Sequence, residues 1–180
     1  MIKKYGVMAI GPYHIKNNIV CQDYYEIIPI NDDICIAAVA DGLGSAEHSD
    51  IAAKLAATVS CDYCSKRVSP KSTKDEIINT ITGAFYTAQN AIEKEVQAAG
   101  HDLAQYDTTL TLAVLIHDNL YYGHSGDGGM IALTTKGRFE AVTQQQRDDE
   151  GRVFPLFFEE KWVFGQYEHT VEPILSRVIS

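Results

Sequence analysis

No stretch of this 180-residue sequence approaches the roughly 20 consecutive apolar residues that a membrane-spanning helix needs. Met1-Ile2-Lys3-Lys4 runs into a strand-like pattern without the apolar core of a signal peptide. A cytoplasmic protein with no membrane partner is therefore expected. Cysteine is scarce: Cys21, Cys35, Cys61 and Cys64 are too few and too irregular for a secreted disulfide framework. No Cys/His set has zinc spacing either. Positive charge is in short supply, with 15 Lys and Arg against 24 Asp and Glu and a net charge of -9. Because the basic residues are scattered along the chain, a nucleic-acid partner is not expected. The acidic balance instead favours substrate peptides with basic flanks. Also missing are a visible Ser/His/Asp arrangement, an internal repeat and a low-complexity segment. The Gly-rich "GHSGDGG" lacks the Lys-Ser/Thr and following helix of a nucleotide phosphate loop.

What remains is a globular composition, 46% apolar and 22% charged, of a length that makes one domain over residues 1–180 the default. Tyr5 to Tyr13 reads as an opening strand with a Gly-Pro break, and Cys21 to Ile30 as a second. Ile34 to Ala40, "ICIAAVA", is a short apolar run of the kind buried on both faces, and it stops at Asp41. From Ser45 the period changes to that of a helix, with Ile51, Leu55 and Val59 in one stripe to about Arg67. A second helix opens on a capping box, Thr73 with Glu76, and runs to Gly100 with Ile78, Ile81, Phe85, Ala88, Ile92 and Val96 on one face. Strands resume at Thr109–His117, Leu120–Gly126, Met130–Thr135 and Phe139–Thr143, with hairpin turns at Asp118-Asn119 and Lys136-Gly137. "VEPILSRVIS" reads as a final strand, and Val153 to Tyr167, "VFPLFFEEKWVFGQY", is an apolar, aromatic segment without an assignable period. Strands, two helices and strands again give an α+β class with helices on antiparallel sheet.

Three aspartates sit at strand edges beside small residues: Asp23, Asp41 and Asp127. Brought together, they repel one another unless a cation neutralises them. Oxygen ligands of this kind suit Mg²⁺ or Mn²⁺ before Zn²⁺. Taken alone, Asp127-Gly128 is equally a hairpin signal and Asp41 equally a helix-entry aspartate. Cys61 and Cys64 read as buried helix-face thiols. His48 and His124 read as surface or loop histidines, and Tyr121, Tyr122 and the Phe154–Phe164 aromatics as packing.

The segments "CQDYY", "VADGLGSAEHSDIAAKLA", "DTTLTLAVL" and "GHSGDGGMIAL", in that order and with two helices between them, resemble the metal-dependent protein phosphatases of the 2C family, particularly its bacterial branch. The resemblance covers Gly6 to about Thr143. It implies a four-layer α-β-β-α sandwich of two antiparallel sheets flanked by helices. It also implies Mn²⁺- or Mg²⁺-dependent removal of phosphate from phosphoserine or phosphothreonine proteins by a metal-activated water. Two ions are implied and a third is possible on this pattern. Asp23, Asp41 and the Gly42 carbonyl then become metal ligands, with Asp41 between the ions and Asp127 matching an additional, weaker site. Where family members carry a basic phosphate-holding residue this chain has Asn18, and His14 or Lys16 are the substitutes. Leu43 stands where some members have a histidine, and Asp107 where the family has a glycine before Thr108-Thr109. A further Asp-Gly and a terminal Asp-Asn motif do not occur before Ser180, so the domain is expected to be truncated at its C-terminal end. A catalytically inactive, phosphatase-like binding or regulatory module is the alternative expectation.

Overall fold

The computed structural model describes residues 4–133 and 137–167, and the backbone of 177–179. The chain enters without regular structure and forms α1 (Pro12–Asn17), β1 (Asp23–Pro29) and β2 (Ile34–Asp41). Helices α2 (Ser49–Ser65) and α3 (Lys74–Ala99) follow, then a 3₁₀ turn at Leu103–Tyr106. The remaining strands are β3 (Leu110–Ile116), β4 (Asn119–Ser125), β5 (Gly129–Leu133), β6 (Phe139–Ala141), β7 (Val163–Tyr167) and β8 (Arg177–Ile179). All ladders are antiparallel: β1-β2-β3-β4-β7 form one sheet and β6-β5-β8 a second.

Alternation along β2 and β3 decides the core. Ile34, Ile36, Ala38 and Ala40, with Leu110, Leu112 and Val114, face the helices and are essentially fully buried. The helices answer with complementary stripes. On α2, Ala52, Ala53, Ala56 and Ala57 let the helix lie close to the sheet, while α3 contributes Ile77, Ile81, Phe85, Ile92 and Val96 at helical spacing. The Thr73/Glu76 capping box forms, and Gly100 ends α3 in the left-handed region at φ 70°. Behind the first sheet, Met130 of β5 packs on Ala113 and Leu120. This smaller contact leaves Ala37 and Val39 of β2 only half-buried, so β2 is fully covered on one face rather than on both.

The α+β class and the two antiparallel sheets flanked by helices are as expected. Among the described residues the packed helices lie on the outer side of the five-stranded sheet. Three local expectations change. Tyr5 to Ile10 form no strand, because no described edge pairs with them; Gly11 and Pro12 start a helix instead, with Pro at its first position. Asp127-Gly128 closes no hairpin: β4 and β5 belong to different sheets, and the turn carries the chain from one to the other. The unassigned aromatic segment supplies β7, which pairs with β4 and places Trp162 and Phe164 edge-on to Phe85. Lys136 of the expected turn, Thr134-Thr135 and most of the final strand lie outside the described residues.

Candidate functional site

The β1–β2 register sets Asp23 directly opposite Asp41 at the open end of the sheet. Three threonine contacts fix the Asp41 backbone: its carbonyl accepts from the Thr109 amide at 2.8 Å and the Thr108 hydroxyl at 3.1 Å, and its amide donates to Thr109 Oγ1 at 3.0 Å. Beyond it, Gly42 donates to the Gln22 carbonyl at 3.0 Å and bridges to Thr108. A side chain at Gly42 would put its Cβ 2.6 Å from the Ser49 carbonyl oxygen, so only glycine lets the strand end pass the start of α2. Among the described residues nothing donates to the Gly42 carbonyl. Gln22 ties the layers together from its buried position by donating to Ser49 Oγ at 2.7 Å.

Asp127 reaches the same region from the crossover between the sheets. Gly126 precedes it at φ 110°, where a Cβ would lie 2.4 Å from a methyl of Thr109, so glycine is required there too. Burial pushes the Asp41 carboxyl up from 3.8 to about 7, reinforced by the Asp23 charge, a hydrogen bond between the two carboxyl groups and the Asp127 charge. Arg147 opposes that rise. Its guanidinium forms an ion pair with Asp127 and donates to the Gly151 carbonyl at 2.8 Å. Gln146 locks the loop to the turn, its amide donating to the Gly126 carbonyl at 2.8 Å and its side-chain oxygen accepting from the Gly126 amide at 2.9 Å.

The fold thus gathers the three aspartates, but not equivalently. Asp23 and Asp41 face each other as an unneutralised pair, whereas Asp127 is engaged by Arg147. Among the described residues no group of three or more His, Cys, Asp or Glu side chains is set close enough to enclose a metal ion. The donor chemistry of Asp23, Asp41 and the open Gly42 carbonyl nevertheless fits a hard divalent cation, since all are oxygens and two carry charge that repels. His14 and Lys16 lie on α1 and make no hydrogen bond or ion pair to the carboxylates among the described residues.

Arg147 and Gln22 were not singled out in the sequence. Gln22 adjoins the first ligand candidate, whereas nothing local marks Arg147 within "QQQRDDEGR". His124, expected at the surface, is buried on β4. Its Nε2 donates to the Gln144 carbonyl at 3.0 Å, which leaves Nδ1 to accept from the Thr111 hydroxyl at 2.9 Å. Burial lowers its pKa, so it serves as a neutral tether for the loop carrying Arg147. His48 is half-buried and stacks on His101 at 4.3 Å between ring centroids. Cys61 and Cys64 are buried in α2 as free thiols, and burial pushes both upward, to about 12 for Cys64.

Searching curated protein sequences finds no match. Among solved structures, the fold resembles that of a Stage II Sporulation E family protein from Thermanaerovibrio acidaminovorans, at TM-score 0.61 and 18% identity over 83% of this chain and 75% of that one. The serine/threonine phosphatase of S. agalactiae gives 0.58 and 15%, covering 89% and 69% of the two chains. RsbX in complex with magnesium gives 0.54 and 15%, covering 83% and 61%. The described fold is therefore shared with bacterial phosphatases at low identity. The family model for protein phosphatase 2C matches residues 10–156, which include Asp23, Asp41, Gly42 and Asp127. With four-fifths of the chain under that match, this protein belongs to the protein phosphatase 2C family.

Proposed function

We propose that the ends of β1 and β2 form the centre of a metal-dependent phosphatase acting on phosphoserine or phosphothreonine in cytoplasmic phosphoproteins. The observation that carries this reading is Asp23 paired directly across from Asp41, with the Asp41 carboxyl pushed up to about 7. Two carboxylates held together at a strand end call for a proton or a cation between them. Asp23, Asp41 and the Gly42 carbonyl would hold Mn²⁺ or Mg²⁺, with two ions as the full complement and a third at Asp127 only if Arg147 releases it. Bound there, such ions supply Lewis acidity and an activated water for phosphate-ester hydrolysis.

The protein's own residues position and shield. Thr108 and Thr109 hold the Asp41 backbone, and Gln22 holds the β1 entry against α2. The half-exposed guanidinium of Arg147 is a cation beside the carboxylates, and the resemblance offers His14 and Lys16 on α1 as further basic groups for a phosphate. No protein nucleophile is required.

Calorimetric titration of Mn²⁺ into metal-free wild type and Asp23→Asn, with aryl phosphate hydrolysis followed in the same samples, tests this. Saturable binding and Mn²⁺-dependent turnover are expected in wild type, with binding weakened at least about tenfold by the substitution. A second reading, a module that binds phosphoproteins without hydrolysing them, draws on the engagement of Asp127 by Arg147 and on Asn18 at the basic position. Mn²⁺ binding without turnover would select it. A folded wild type that binds no Mn²⁺ would overturn the metal centre itself.

A further inference from the structure

Asp107 has no role in the arrangement described so far. The resemblance expects a glycine at its position, and its carboxylate makes no hydrogen bond or ion pair among the described residues. It is half-buried, and burial raises its pKa. An unpaired carboxylate that has lost part of its water is a cost the fold carries without internal return.

Asp107 lies in the wall of a cavity of about 670 Å³, inside the range of roughly 300–1,000 Å³ typical of ligand sites. Leu43, Phe154, Pro155 and Phe158 give that cavity its apolar surface. Its walls adjoin the carboxylate centre through their chain neighbours and hydrogen bonds. Leu43 is two residues beyond Asp41 and donates its amide to the Asp107 carbonyl at 3.0 Å. Asp107 immediately precedes Thr108, which bridges to Gly42. Gly151, also in the wall, is held by Arg147. The other charges at the cavity are spent on each other: Arg152 pairs with Asp148 at 2.9 Å and with Glu150 at 2.8 Å. Asp107 is thus the unmatched charge, set among apolar groups next to the centre.

We propose that this cavity is a substrate subsite that takes a lysine or arginine flanking the phosphorylated residue of a phosphoprotein. The aliphatic stem of such a side chain covers Leu43 and Phe158 while its charged head meets Asp107, the division of labour that long basic side chains make between apolar surface and water. A glycine at position 107 would leave the apolar wall with no charge to read. The inference rests on the carboxylate cluster being the phosphatase centre, but the cavity is readable without turnover.

The test uses phosphoserine peptides identical except that the residues flanking the phosphoserine are Lys, Ala or Glu, assayed with Mn²⁺ on wild type and Asp107→Asn. In wild type, kcat/KM for the Lys peptide should exceed that for the Glu peptide by about tenfold or more, and the ratio should shrink as salt is raised. In Asp107→Asn, which keeps size and shape, the ratio should fall to about threefold or less. Fluorescence anisotropy of the same peptides, phosphorylated and unphosphorylated, reads the same ratio as binding. If no peptide is hydrolysed but the Lys preference in binding persists and is lost in Asp107→Asn, the phosphatase reading fails while the subsite stands. A Lys-to-Glu ratio near one in wild type, or one that Asp107→Asn leaves unchanged, overturns the subsite.

Discussion

Asp41→Asn is expected to lower Mn²⁺-dependent turnover by at least about 10³-fold, since in the proposed centre Asp41 would be the ligand shared by the ions, and they would supply several kcal/mol of the barrier reduction. The same substitution should make the metal-free protein more stable. In the wild type, burial and the Asp23 charge hold the Asp41 carboxyl at about 7, far above its ordinary 3.8. A folded-state pKa that is raised means the folded protein binds the proton more tightly than the unfolded chain. The contribution to stability is therefore fully present below about pH 4 and is lost as pH rises through about 7. Metal-free wild type should melt lower at pH 8 than at pH 5, and Asp41→Asn should lose that part of the slope. Asp41 is half-buried, so solvent screens the repulsion to on the order of 1–2 kcal/mol, or about 2–8 °C at this chain length. Adding Mn²⁺ should reverse the order, raising the melting temperature of wild type and leaving the variant where it was. A variant that is less stable than wild type at pH 8 without metal would contradict the repulsion on which the site is read.

Phe85→Ala is expected to remove about 3–5 kcal/mol of stability, a large share of the roughly 5–15 kcal/mol that holds a domain folded. The ring is fully buried on α3 and meets Trp162 at 5.1 Å and Phe164 at 5.2 Å, both edge-on. Such aromatic pairs add about 0.5–1.5 kcal/mol beyond the area they bury. The loss should appear in urea as a lower midpoint with an unchanged slope. Phe85→Leu should cost far less because most of the volume stays filled. Turnover per folded molecule should survive below the transition, since Phe85 touches none of the carboxylates. A loss under about 1 kcal/mol for Phe85→Ala would mean that α3 does not close on β4 and β7 as described.

Those same residues mark where sequence reasoning succeeds and where it stops. The α3 helix was legible end to end because its capping box, its stripe through Ile81, Phe85 and Ile92 and its terminal glycine are local signals that agree. Asp41 was legible as a candidate through its company, since a carboxylate ending an apolar strand gains meaning only beside Asp23, Asp127 and the motifs ordered around them. The partner of Phe85 was not, since Trp162 and Phe164 lie in a segment whose strand is defined only by pairing with β4. Arg147 was hidden for a related reason: twenty residues separate it from Asp127, and the loop's hydrogen bonds to Gly126 bring it back. The burial of His124 likewise depends on a carbonyl twenty residues away. Tyr5 to Ile10 have a strand's composition, but a strand needs a neighbour, and composition does not name one. For Asp127 the choice between hairpin and crossover was a question of which sheet β5 joins, and that is settled by its pairing with β6 and β8, strands that lie further along the chain.

The most direct test of the phosphatase centre is phosphate release from a phosphoserine peptide by the wild-type protein, first stripped of metal with EDTA and then given Mn²⁺. The account predicts silence in EDTA and turnover restored by Mn²⁺ in wild type, with Asp41→Asn silent in both conditions. Turnover that persists undiminished in EDTA, or that Asp41→Asn retains, would contradict it.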